Sequence, residues 1–263
     1  MAMKNILKIM LMMITIFTIA GSAVYAAEIP VSDQDQLITS NDWTEISNLQ
    51  DEMKKEEPDA TIDYDKALKV YVDCNLIKLQ TADTKKLTSA LESANYVWVI
   101  PFKMEKTYGM FTVAKGLPLR EEAKSVLTKA EQEEVKNHAG KWMITEIAEH
   151  TVEPYYDILL EKREALSDCT RVVLVGSQPG MRQPVALGMD DETARIWISL
   201  GYQYPVMKKI PETQNVESGV YSFDSVAEIS DTYIEDSEVS TGVGVQSRSS
   251  MKYVAGIGIV LIG

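Results

Sequence analysis

Tyr96-Val97-Trp98-Val99-Ile100 and Met110-Phe111-Thr112-Val113-Ala114, separated by a polar stretch that ends in Gly109, decide the fold class. Both runs are rich in β-branched and aromatic side chains and have strand length, and the glycine between them reads as a hairpin turn. Pro101 follows the first run and has no amide hydrogen for a ladder, so it marks an edge or a bend. Upstream, Lys66-Ala67-Leu68-Lys69-Val70-Tyr71-Val72 is a third strand. Asp83 then caps a helix whose Leu87, Ala90, Leu91 and Ala94 repeat at helical spacing. Farther upstream, Trp43, Ile46, Leu49 and Met53 form a thin apolar stripe, which predicts a helix from Asp42 to Glu56.

Downstream, the stretch from Glu121 to His150 is rich in Ala, Glu, Lys and Leu and reads as two helices jointed at Gly140. Glu153-Pro154 opens another helix that ends near Leu166, because proline suits a first helical turn. Strand signals then return at Arg171–Val175, Gln183–Met189 and Ala194–Ile198, with Pro179-Gly180 and Asp190-Asp191 as turns. The order strand, helix, hairpin, helices, meander predicts an α+β fold: a mainly antiparallel sheet with helices packed on one face, in a single domain. That domain is expected over 61–210, after a polar N-terminal segment at 27–60. The stretch at 211–250 has a linker's composition, with eight carboxylates against Arg248 alone, and reads as an acidic tether.

The two ends carry an address. Lys4 and Lys8, the apolar run Ile9 to Ala20, and Val24-Tyr25-Ala26 follow the pattern of a signal peptide over 1–26, with cleavage before Ala27. A lipoprotein is excluded, since the first cysteine is Cys74. Tyr253 to Gly263 contains no charged side chain and, at about 1.5 Å per residue, covers roughly half of a ~30 Å hydrocarbon core. Residues 251–263 therefore read as a transmembrane helix cut short, or else as a strand tucked into the domain. The arrangement resembles membrane-anchored surface proteins of Gram-positive bacteria, by architecture and not by motif. It implies an extracytoplasmic, cell-surface location.

Chemistry is mostly excluded. The net charge of −13 argues against nucleic acid, where Lys and Arg must displace counterions. His138 and His150 stand twelve residues apart with Glu146 and Glu149 between them. A zinc helix needs its histidines one turn apart, so no metal site and no cofactor are expected. Ser249-Ser250-Met251-Lys252 matches S-x-x-K without its companion motifs, and Gly176-Ser177-Gln178-Pro179-Gly180 lacks the G-K-[ST] ending of a phosphate loop. No catalytic residue is assigned. Tyr96, Trp98, Tyr108, Trp197, Tyr202 and Tyr204 fall on or beside strands, where they pack a core or stack on a ligand.

Cys74 follows one strand and Cys169 precedes another. A disulfide between them would close a loop of about 95 residues and stabilise by roughly 4 to 5 kcal/mol; the alternative is two buried thiols. The functional expectation is a non-catalytic surface domain that binds a protein, peptide or glycan outside the cell and attaches to the membrane through its C-terminal apolar segment. The alternative is a carboxylate-based glycan hydrolase, which requires two carboxylates about 5 to 10 Å apart in a cleft.

Overall fold

The computed structural model describes residues 29–176, 178–181, 183–202, 204–211 and 215–234. Ten strands form one sheet among these residues: β1 (Thr61–Ile62), β2 (Leu68–Val72), β3 (Asn95–Lys103), β4 (Tyr108–Lys115), β5 (Trp142–Thr151), β6 (Arg171–Val175), β7 (Val185–Met189), β8 (Ala194–Ser199), β9 (Asn215–Glu217) and β10 (Val220–Ser222). Their order is β5-β4-β3-β2-β6-β7-β8-β10-β9, with β1 beside β3. Every pairing of named strands is antiparallel except β2 with β6. The α+β class with a mainly antiparallel sheet in one domain therefore stands, although helices are few and the sheet dominates.

The six α-helices among the described residues are α1 (Trp43–Ile46), α2 (Gln50–Glu56), α3 (Thr84–Ser93), α4 (Lys129–His138), α5 (Tyr155–Glu161) and α6 (Phe223–Ile234). A 3-10 turn, Ser47–Leu49, joins α1 to α2, so the expected stripe is interrupted but keeps its sense: Ile46 and Met53 are fully buried. Asp83 caps α3 as expected, accepting from the Lys86 amide at 3.1 Å.

Strand alternation sends successive side chains to opposite faces. One face presents Trp98, Ile100, Phe102, Phe111 and Val113 to α1 and α2, and presents Val173, Val175, Leu187 and Trp197 to α3 and α6. The other presents Leu68, Val70, Val99, Val172, Leu174 and Ile198 to Tyr155, Ile158 and Leu159 of α5. Helices thus cover both faces of the sheet, with α5 opposite α1, α2, α3 and α6.

Pro101 is not on an edge strand. It sits in β3 between the last pair with β2, Val99 opposite Leu68, and the first pair with β1, Phe102 opposite Ile62. The missing amide hydrogen falls where β3 changes neighbours.

Three expectations are corrected. Residues 142–151 form strand β5 and not helix, because Trp142, Ile144 and Ile147 bury against the N-terminal segment while Glu146 and Glu149 stay half-buried. Glu149 lies opposite Gly109 while Thr151 lies opposite Tyr108; Glu146 lies opposite Thr112 while Ile144 lies opposite Val113. Each step carries one extra residue on β5, and such bulges blunt an exposed sheet edge. The domain also extends past Ile210: β10 pairs with β8, and Val220 and Val226 are fully buried, so within the expected tether β9 and β10 join the sheet and α6 packs on its core. Finally, the membrane-spanning reading is withdrawn, since among the described residues no helix is long and apolar enough to cross a membrane. Residues 1–26 and 251–263, on which the leader and anchor readings rest, lie outside the described residues.

Candidate functional site

Two places combine polar chemistry with a built environment. The first lies where β2 and β6 part. These parallel strands pair only at Val70 with Leu174 and Tyr71 with Val175. The gap beyond is filled by the chain near its N-terminus: Val31 bridges to Val172 and Gln36 to Leu68, with the Val172 amide donating to the Pro30 carbonyl at 2.7 Å. This insertion places Asp35, 2% exposed, over the sheet.

Asp35 collects donors from three directions. Tyr71 Oη donates to Oδ1 at 2.7 Å, while Ser32 Oγ at 2.6 Å and Arg171 Nη2 at 3.1 Å donate to Oδ2. Lys69 Nζ lies 3.7 Å from Oδ1 and is 10% exposed. Its ammonium also sits over the rings of Tyr96 at 4.5 Å, Trp98 at 5.2 Å and Tyr71 at 5.8 Å, an arrangement worth about 2 kcal/mol or more when desolvated. Burial pulls the Lys69 pKa down and the nearby Arg171 adds to this, while Asp35 and Asp42 push it back up. Asp42 accepts from Tyr96 Oη at 2.9 Å and Trp98 Nε1 at 3.0 Å. Two carboxylates thus flank one lysine, but both spend their lone pairs on groups of the fold. The cluster is a closed polar junction and offers no pair for acid–base work on a sugar.

The second place is a groove of about 440 Å³ between the segment Ile77 to Ala82 and the first turns of α6. Ile77, Ala82, Phe223 and Ala227 are its apolar lining residues; Gln80, Thr81, Asp224 and Glu228 supply polar groups. Ser222 starts α6 by accepting from the Ser225 amide at 3.2 Å. Phe223 is held by stacking on Trp197, with ring centroids 5.7 Å apart. Asp224 and Glu228 are exposed and, four residues apart, share one face of the helix. Leu79, 44% exposed, stands beside the groove.

The residues singled out in the sequence are dispersed. Among the aromatics, Tyr96 and Trp98 form the box around Lys69, Trp197 is core, and Tyr204 donates its hydroxyl to the Pro184 carbonyl. Lys103 Nζ lies over the Tyr108 ring at 5.9 Å. Tyr202 hydrogen-bonds the buried Tyr155 beside Glu146, whose carboxyl pKa is raised by burial. His138 ends α4 and His150 lies in β5, so the helical spacing that would bring two histidines to one ion does not exist. Among the described residues no three His, Cys, Asp or Glu side chains converge as metal ligands. Gln178 and Met181 close a turn around Pro179 and Gly180, the Met181 amide donating to the Gln178 carbonyl at 2.8 Å; the Gln178 side chain accepts from the Leu76 amide at 2.9 Å and donates to the Cys74 carbonyl at 2.6 Å, tying the loop after β2 to the loop after β6. Ser249 and Lys252 lie outside the described residues.

Cys74 and Cys169 are free thiols. The disulfide alternative fails on strand direction. In the β2·β6 register Cys169 comes five positions before Leu174 and Cys74 four positions after Val70, on strands that run the same way. Nine positions of register therefore separate them along the common strand direction, well beyond disulfide reach. They also pack against different cores, on opposite faces of the sheet.

Comparison with known proteins finds no matching family model, no matching curated protein and no matching solved structure.

Proposed function

We propose that the chain is a non-catalytic binding domain whose ligand seat is the groove between Ile77–Ala82 and α6. The observation that carries this is the groove's composition. Its volume is in the range of small-ligand and side-chain pockets, and its lining combines four apolar with four polar residues. No histidine, cysteine, lysine or arginine lines it. Thr81 is its one hydroxyl side chain, and no histidine or lysine stands on the walls to activate it.

The glycan hydrolase is less well supported. It needs carboxylates on opposite sides of the scissile bond. Asp224 and Glu228 both rise from the same helix, and the facing wall offers Gln80 and Thr81. A polyanion is disfavoured at this rim by the same two carboxylates.

The test is amide hydrogen exchange on the full chain during titration with a panel of peptides and oligosaccharides. A bound ligand is expected to protect Ile77–Ala82 and Phe223–Glu228. Ala227→Trp, which fills the groove, should abolish that protection while leaving the circular dichroism unchanged. Turnover of any oligosaccharide, or protection confined to another surface, overturns the proposal.

A further inference from the structure

Resting on the groove as the ligand seat, the geometry points to its occupant: a polypeptide segment that presents a lysine or arginine next to an apolar side chain. The groove is asymmetric in charge. One wall carries Asp224 and Glu228, both exposed, one helical turn apart on α6. The opposite wall, Gln80 and Thr81, is uncharged but can hydrogen-bond a peptide backbone. None of the eight lining residues is cationic, so neither carboxylate is neutralised from inside the groove.

Ile77 and Phe223 are almost wholly buried, so the apolar surface open to a ligand comes from the half-buried Ala82 and Ala227, with Leu79, 44% exposed, next to Gln80 in the chain. A long basic side chain suits this combination because its methylene stem covers apolar surface while its head reaches a carboxylate. The neighbouring apolar residue of the ligand would then meet Leu79. An anionic or purely polar segment would desolvate the two carboxylates without pairing them. The net charge of −13 adds long-range attraction for the same class of partner.

Fluorescence anisotropy on the full chain tests this with three labelled synthetic peptides of equal length: one alternating Arg and Leu, one with Glu in place of Arg, and one with Ser in place of Leu. The Arg/Leu peptide should bind at least roughly tenfold more tightly than either of the others. Asp224→Lys with Glu228→Lys should cost that peptide about tenfold or more. Glu122→Lys with Glu133→Lys, an equal change in net charge on exposed positions far along the chain, should cost less than about threefold.

Equal losses in the two double variants would reduce the effect to net charge and overturn the inference. So would equal binding of the Glu peptide, or no binding of any of the three. If a different ligand protects the groove in hydrogen exchange while the Arg/Leu peptide does not bind, the binding-domain proposal stands and this assignment of its ligand falls.

Discussion

Asp35 and Arg171 meet at 3.1 Å across 136 residues of chain, at the point where β2 and β6 stop pairing. The contact closes the junction of the one parallel pair among the named strands. It does so with a segment that arrives from before the first strand. Two cations, Lys69 and Arg171, converge on a carboxylate whose side chain is 3% exposed.

The members of this cluster should differ sharply in what their removal costs. Asp35→Ala leaves two poorly solvated cations without their shared partner, and loss of one member of a buried ion pair typically costs about 3 to 5 kcal/mol. Lys69→Met removes a cation that is itself desolvated and leaves Asp35 with Arg171, Tyr71 and Ser32. Its cost should be smaller by about 2 kcal/mol or more. Urea unfolding of both variants checks the order. Equal losses would mean that Lys69, and not Asp35, organises the junction.

Both cysteines should behave as inert thiols. Burial pushes each thiol up to about 11, with Asp73 adding to the shift at Cys74 and Asp190 at Cys169. At pH 8 roughly one thiol in a thousand is then ionised, and the thiolate is the form that reacts. Iodoacetamide should leave the folded chain unmodified over a period in which denatured chain gains two adducts. Mass spectrometry of unreduced protein that shows a Cys74–Cys169 link would contradict the parallel register of β2 and β6.

Which parts of this fold were legible in the sequence follows from which signals are local. Asp83 as a cap, the hairpin at 96–114 and the strands at 171–175 and 194–199 depend on side chains within a few residues of each other, and each is in place. Strand β5 was missed because Glu146, Ala148 and Glu149 mimic helical composition, and the extra residues at its bulges break the alternation that would have identified it. The parallel pairing of β2 and β6 could not be read at all, since it depends on residues about a hundred positions apart. The bridge between Cys74 and Cys169 fell with that direction.

The groove was hidden by composition. Residues 211–250 are rich in Ser, Asp and Glu, and that average concealed Phe223, Val226, Ala227 and Ser230 at helical spacing behind Ser222. This pattern was the available signal for α6: an N-cap serine followed by one buried stripe, with Phe223, Val226 and Ser230 all inside.

Gly109 lies inside β4, paired with Phe102, and not in the hairpin turn closed by Met104 and Thr107 where the sequence placed it; what requires a glycine there is packing. A β-carbon there would fall within the Phe102 ring, 2.7 Å from even the third-nearest ring atom, Cε1. Phe102 is 1% exposed and packed on Phe111 with centroids 4.6 Å apart, so it has no open space to yield. Gly109→Ala should cost about 1 to 3 kcal/mol, as overpacking of a filled core does. Combining it with Phe102→Leu should recover part of that loss relative to additivity. Strict additivity in thermal unfolding would place the cost elsewhere than at this contact.

Glu146 gives the domain a pH dependence whose sign can be worked out. Its carboxyl stands in β5 opposite Thr112, near the Tyr155–Tyr202 pair, and burial raises its pKa above the ordinary 4.5. Between the ordinary value and the raised one, the folded chain holds a proton at this site more often than the unfolded chain does. The contribution to stability is therefore fully present below the ordinary value and is lost as pH rises through the folded one. Above that window the ionised carboxylate sits where burial disfavours it, and the fold is weaker for it. Glu146→Gln keeps the shape and removes the ionisation. The variant should melt at a higher temperature than the parent at about pH 7, and the two should converge at about pH 4, where both side chains are neutral. Melting curves recorded across that range decide it. A constant offset between variant and parent would mean that the carboxylate is as well solvated in the fold as in the open chain.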